Sequence, residues 1–223
     1  ANVARLNADG TLDPGFNPIA SARVNAIAIQ ADGNIVLGGT FTTLNPNATT
    51  TTTITTTTTT PKAGSSTTST TAANGAVTTT TISTVDGTTT TTVTVVSSTP
   101  VARAYLARVK TDGTLDTGYN PTMNGNVNAL ALQADGKIVA GGSFTNVQPG
   151  ATGTITDRSG MARFNTDGTL DTGYDPSPNG NVNALALYPD GKMIVGGAFT
   201  DFAPNSSGTN VMVRNFLARL NAD

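Results

Sequence analysis

The chain has 223 residues, of which 12% are charged and 37% hydrophobic, with a net charge of −2 and no Cys, His or Trp. This composition excludes Cys or His nucleophiles, a His base, a His/Cys metal site and any disulfide within the chain. It leaves no basic footprint for nucleic acid or an anionic membrane, and no apolar run approaches the ~20 residues of a spanning helix.

The chain opens on Ala4-Arg5-Leu6-Asn7-Ala8-Asp9-Gly10-Thr11-Leu12-Asp13. The phrase returns at Leu106 and at Met161, and Leu217-Ala218-Arg219-Leu220-Asn221-Ala222-Asp223 begins it again. Asp112 to Asp167 spans 55 positions, Asp167 to Asp223 spans 56, and Asp9 to Asp112 spans 103. One Thr-rich insertion explains the excess of 48. No signal peptide is visible, and because Ala1 already lies inside a repeat, a leader would lie upstream of it. The expected organisation is repeat 1 over 1–48, the insertion over 49–100, repeat 2 over 101–155, repeat 3 over 156–210 and the start of a fourth over 211–223.

Each copy next carries an aromatic before Pro: Phe16, Tyr119 and Tyr174. A strand phrase follows, Val24-Asn25-Ala26-Ile27-Ala28-Ile29 in the first copy, Val127 to Leu132 in the second and Val182 to Leu187 in the third. Strict period-two alternation puts Leu130 and Leu132 on one face and Val127, Ala129 and Ala131 on the other. Both faces are largely apolar, which predicts a strand covered on both sides. Asp32-Gly33, Asp135-Gly136 and Asp190-Gly191 predict hairpin turns, since both residue types tolerate positive φ. In the return strand, Gly141-Gly142 permits a bulge or a close approach by another backbone. Helix signals are nearly absent. Two or three strands per unit at this period predict an all-β protein of tandem β-propeller-like blades of about 55 residues. An open β-solenoid or fibre of stacked sheets is the alternative.

Between Thr49 and Thr99, 27 of 51 residues are Thr. Three readings compete: added strands, a mucin-like O-glycosylated stretch, and a disordered linker. Thr92-Val93-Thr94-Val95-Val96 alternates as a strand does, and Val85-Asp86-Gly87-Thr88 offers a hairpin. Asn47-Ala48-Thr49 and Asn205-Ser206-Ser207 match N-glycosylation sequons.

No residue set singles out a catalytic, cofactor or metal site. Asn7, Asp9 and Asp13 resemble part of a calcium loop, but the bidentate acid is missing and Lys110 replaces the Asn in the second copy. A turn capped by Asp is the competing reading. Asp13, Asp116 and Asp171 recur once per copy, which spreads them among the units instead of gathering them in a glycosidase cleft. Each is expected to form a bidentate, partly buried pair with Arg5, Arg108 or Arg163. Phe16, Tyr119 and Tyr174 read as core anchors or as a sugar platform.

On Arg108 to Asp116, Gly118-Tyr119-Asn120-Pro121, Val127 to Gly136 and Gly141 to Thr145, the chain resembles the delta-60 repeat family of bacterial proteins. The resemblance extends over everything but the insertion. It implies β-propeller-like domains in secreted or surface-associated proteins, and no catalytic residues. The expected function is a structural or adhesive extracellular or cell-surface protein that is not an enzyme. Its expected partner is itself, as a unit of a filament or long array. The alternative is a propeller binding module that recognises a carbohydrate or protein ligand through loops such as Asn124-Gly125-Asn126.

Overall fold

The computed structural model describes residues 2–45, 50–59, 65–71, 77–85, 88–97, 100–150, 153–204 and 211–222. It is all-β, with no α-helix among the described residues. The chain divides into two units, Ala1–Leu44 with Val101–Asp223, and Asn45–Pro100.

In chain order the first repeat holds β1 (Ile19–Ala20), β2 (Val24–Ile29), β3 (Ile35–Gly39) and β4 (Thr43–Asn45). The second unit holds β5 (Thr50–Thr59), β6 (Ser65–Thr71), β7 (Val77–Val85) and β8 (Thr88–Ser97). There follow β9 (Val101–Ala102), β10 (Leu106–Val109), β11 (Pro121–Met123), β12 (Val127–Leu132), β13 (Ile138–Gly142), β14 (Asn146–Pro149) and β15 (Thr156–Asp157). The last are β16 (Met161–Phe164), β17 (Val182–Leu187), β18 (Met193–Gly197), β19 (Asp201–Phe202), β20 (Met212–Val213) and β21 (Leu217–Leu220).

Three antiparallel blades result: β2-β3-β10, β12-β13-β16 and β17-β18-β21. The third strand of each is the phrase that opens the next copy, so blade and written repeat are out of phase. Leu106–Val109 pairs with Gly38–Ile35, and Met161–Phe164 with Gly141–Ile138. Each copy also builds a smaller sheet that the sequence did not announce: β1-β4-β9, β11-β14-β15 and β19-β20. Their strands are two to four residues long, too short to display a period.

The Asp-Gly turns form as expected. Gly33 N donates to the Gln30 carbonyl at 2.9 Å, Gln30 N to the Asn34 carbonyl at 2.8 Å, and Gly33 has φ +82°. Asn34 N donates to Asp32 Oδ1 at 2.9 Å, the Asx cap that favours Asp here. The opening phrase makes the same turn, with Gly10 N donating to the Asn7 carbonyl at 2.9 Å and Leu6 bridged to Leu12.

Strict alternation fails at one place. The β12–β13 register shifts between Val127 and Ala129, as it does at Val24/Ala26 and Val182/Ala184. The bulge turns Val127 to the Leu130 side, so Val127 does not share a face with Ala129 and Ala131. The blades of this unit stack through β2, β12 and β17. Core residues lie between them, where Leu106, Val127, Ile138 and Phe164 are fully buried. Each such side chain stabilises the stack by about 1.5–3 kcal/mol.

The Thr-rich unit is a four-stranded antiparallel sheet in the order β5-β8-β7-β6. Val85 pairs with Thr88, consistent with a hairpin whose Asp86 and Gly87 lie outside the described residues. Both sequon asparagines, Asn47 and Asn205, also lie outside them.

Candidate functional site: the interface between blades

One contact repeats from blade to blade, and glycine makes room for it. A Cβ on Gly38 would fall 2.4 Å from Val127 Cγ1 and 3.4 Å from Leu130 Cδ1. A Cβ on Gly141 would fall 2.5 Å from Val182 Cγ1 and 3.4 Å from Leu185 Cδ1. The first Gly of each pair is thus a hole for the next blade's Val and Leu. The second Gly serves its own blade: a Cβ on Gly142 would meet the Asn126 carbonyl at 2.0 Å, beside the bulge. The backbone approach expected from Gly141-Gly142 occurs at Gly142 alone; what approaches Gly141 is side chains, and the bulge lies in the facing strand β12.

Asparagine crosses the same gap. Asn25 Nδ2 donates to the Val127 carbonyl at 3.0 Å, and Asn128 Nδ2 to the Val182 carbonyl at 3.0 Å. Sequence reasoning missed this role. Its signal was a polar residue at one fixed place in an otherwise apolar strand.

The Arg-Asp pairs form within each copy, with a geometry that corrects the expected bidentate fork. Arg108 Nε and Nη2 converge on one oxygen, Asp116 Oδ2, at 2.8 and 2.7 Å. The other oxygen accepts from Gly118 N at 3.0 Å. The turn claims that oxygen, which leaves a single acceptor for the guanidinium. Arg5 and Asp13 repeat the arrangement at 2.8 and 2.7 Å, with Gly15 N on the other oxygen. Arg163 Nε reaches Asp171 Oδ2 at 3.0 Å, an oxygen shared with Lys137 Nζ at 2.9 Å.

Each guanidinium also spans the interface. Arg108 Nη1 donates to the Thr166 carbonyl at 2.5 Å, Arg163 Nη1 to the Ala222 carbonyl at 3.5 Å, and Arg5 Nη1 to the Thr111 carbonyl. All three acceptors sit at one position of the following phrase. The guanidinium carbons lie 4.6, 4.3 and 4.3 Å from the ring centroids of Phe16, Tyr119 and Tyr174. One arginine therefore joins a carboxylate, an aromatic face and the next copy's backbone, which lysine's point charge cannot do.

The aromatics are core anchors. Phe16, Tyr119 and Tyr174 are all buried, and the Tyr119 hydroxyl has no hydrogen-bond partner among the described residues. Burial pushes the Tyr174 phenol up to about 12 and raises Tyr119 as well. The Arg5 hydrogen bond holds Asp13 below its ordinary carboxyl value. Burial raises Asp116, but the hydrogen bond and charge of Arg108 bring it below that value. The Lys137 hydrogen bond does the same at Asp171, against burial and aided by Arg163.

Asp9, the centre of the calcium-like phrase, accepts from Thr11 N at 2.9 Å and Thr11 Oγ1 at 2.6 Å. These bonds make a capped turn. In the loop considered for ligand binding, Asn124 Oδ1 accepts from Thr145 N and Asn146 N, and its Nδ2 donates to Thr145 Oγ1. Asn179 repeats this with Thr200 and Asp201.

Three-stranded blades, stacked face to face and joined by a repeating clamp, define a protein of the β-propeller class. The chain belongs to the family described as a domain of unknown function (DUF5122), beta-propeller, which matches residues 1–16, 30–50, 133–174 and 189–223. No curated protein and no solved structure matches it. Among the described residues, no helix is long and apolar enough to cross a membrane.

Proposed function

We propose that this is a structural or adhesive repeat protein of the extracellular or cell surface, a unit of a filament or of a long repeat array. The observation that carries the reading is the blade contact itself, which occurs twice with the same Val and Leu seated on the same Gly. A contact that recurs from one repeat to the next extends without a new design at each step. The resemblance to delta-60 repeat proteins supports the surface setting. A scaffold fits better than an enzyme, because Asp13, Asp116 and Asp171 are each committed to a structural arginine. It also fits better than a binding module, because Asn124 and Asn179 spend their side chains within their own loops.

Electron microscopy of the native material, with its symmetry determined, tests the reading. A filament or array with a regular subunit repeat is expected. Isolated monomeric propellers or discrete closed rings would overturn it and favour a module that recognises a carbohydrate or protein ligand.

A further inference from the structure

We infer that two copies of this chain join edge to edge through β5 of the Thr-rich sheet, in an antiparallel pair with a two-fold axis at Ile54. β5 and β6 are the edges of that sheet, and among the described residues no strand pairs with the outer side of either. An edge strand presents a row of unpaired backbone donors and acceptors, and proteins keep such rows from joining with charge, Pro, a bulge or shortness. The edge strands of the small sheets are two or three residues long. The blades carry a bulge in β2, β12 and β17. β5 has none of these devices. Its 10 residues are all Thr except Ile54, and it pairs with β8 along its whole length without a shift of register.

The sheet gathers apolar residues on one face, towards the β5 side. Ile54 pairs with Val93 of β8, and Val93 pairs in turn with Thr80 of β7. Val95 and Ile82 lie two positions along from Val93 and Thr80, so Ile54, Val93, Val95 and Ile82 share a face. β6 contributes only Ser and Thr.

That asymmetry selects the occupant and the register. A second copy brings the same four residues to the joint, and the two sets become continuous when Ile54 faces the partner's Ile54. Thr50 then faces the partner's Thr58, and Thr53 faces the partner's Thr55. A slip of one residue would run the apolar face of one copy into the opposite face of the other. Every remaining pair in the joint is Thr on Thr, the pairing that residues 55–59 already make with residues 88–92. Such pairs are favourable between antiparallel strands, and the two-fold makes each contact twice. The strand carries no charge to oppose its own approach.

Sedimentation velocity of the full chain tests this. Thr53→Lys with Thr55→Lys sets lysine against lysine at two places in the joint, and Thr53→Glu with Thr55→Glu does the same with glutamate. Both positions lie on the face away from Ile54, paired with Thr94 and Thr92, and far-UV circular dichroism checks that each variant keeps its strands. The wild type is expected to dimerise, and each double variant should do so at least ten-fold more weakly. An equal mixture of the two should regain the wild-type affinity, because lysine then faces glutamate at both places. The corresponding change in β6, Thr67→Lys with Ser69→Lys, should leave the dimer intact. A wild type still monomeric at about 1 mM, the weak end of protein association, overturns the inference. So do β5 variants that dimerise as the wild type does, a mixture that stays apart, and a loss that follows β6 instead of β5. The substitutions leave the blades unchanged, so a failure here leaves the scaffold reading to the microscopy.

Discussion

Replacing Gly141 with alanine places a methyl group 2.5 Å from Val182 Cγ1 and 3.2 Å from Val182 Cβ. Val182 is fully buried and held at a bulge, and its Cβ is crowded as well, so turning the side chain does not remove the contact. The blades must part by several tenths of an ångström, and overpacking of this kind costs about 1–3 kcal/mol. Gly38→Ala meets Val127 Cγ1 at 2.4 Å and should behave alike. Gly196→Ala has 3.8 Å of clearance and reduces the freedom of the unfolded chain, so it should stabilise by about 0.5 kcal/mol. Three glycines in one sequence context thus have opposite expected outcomes. Urea unfolding followed by tyrosine fluorescence measures them at low protein concentration. All four tyrosines, residues 105, 119, 174 and 188, belong to the blade unit, so transitions of the Thr-rich unit are silent. The reasoning fails if Gly141→Ala and Gly196→Ala unfold within about 0.5 kcal/mol of each other, inside the scatter of ordinary surface substitutions.

Arg108→Ala strips a partner from Asp116, which is only 16% exposed, and should cost about 2–4 kcal/mol. Arg5→Ala, at a pair whose arginine is 38% exposed, should cost about 1 kcal/mol or less by the same unfolding assay. Arg108→Lys should recover less than half of the loss, because an ammonium cannot serve Asp116, Thr166 and the ring together. Tyr119→Phe removes a buried hydroxyl without a partner and restores the residue type of Phe16, so it should stabilise by about 1 kcal/mol in thermal melts. Asp13, Asp116 and Asp171 ionise more readily folded than unfolded. Their contribution is whole above the unfolded value near ~4 and is lost as pH falls through the lower folded values. Tyr119 and Tyr174 shift upward, so theirs is whole below ~10 and is lost as pH climbs, for Tyr174 towards about 12. With no His, melting temperature should be level between roughly pH 5 and 9, and a step near pH 6.5 would contradict the assignment.

The sequence carried the period, the Asp-Gly hairpins and the all-β class, because turn chemistry and alternation are local. It also carried the Arg-Asp pairing, because Arg108 and Asp116 lie eight residues apart in every copy. It did not carry the long reach of Arg108 to Thr166, a contact across 58 residues that leaves no local pattern. The phase of the blades was hidden for a similar reason. A repeated text has no marked beginning, and only the pairing of Leu106–Val109 with β3 assigns the phrase to the blade behind it. Strict alternation misplaced Val127 because a bulge adds one residue without changing composition.

The small sheets have a consequence for what the chain can carry. Leu44 faces Val101, Val147 faces Thr156 and Phe202 faces Met212, at equivalent points of the three copies. Between those pairs the chain runs through 56, 8 and 9 residues respectively. The blade text continues unchanged on either side of the longest. Closing a longer loop costs little more than closing a short one, so each pair works as a splice point whose passenger is free to change in length and kind. A lineage could trade cargo at any of these three ports while keeping the track, and an engineer could use the two short ones to mount an epitope or a catalyst at a fixed spacing.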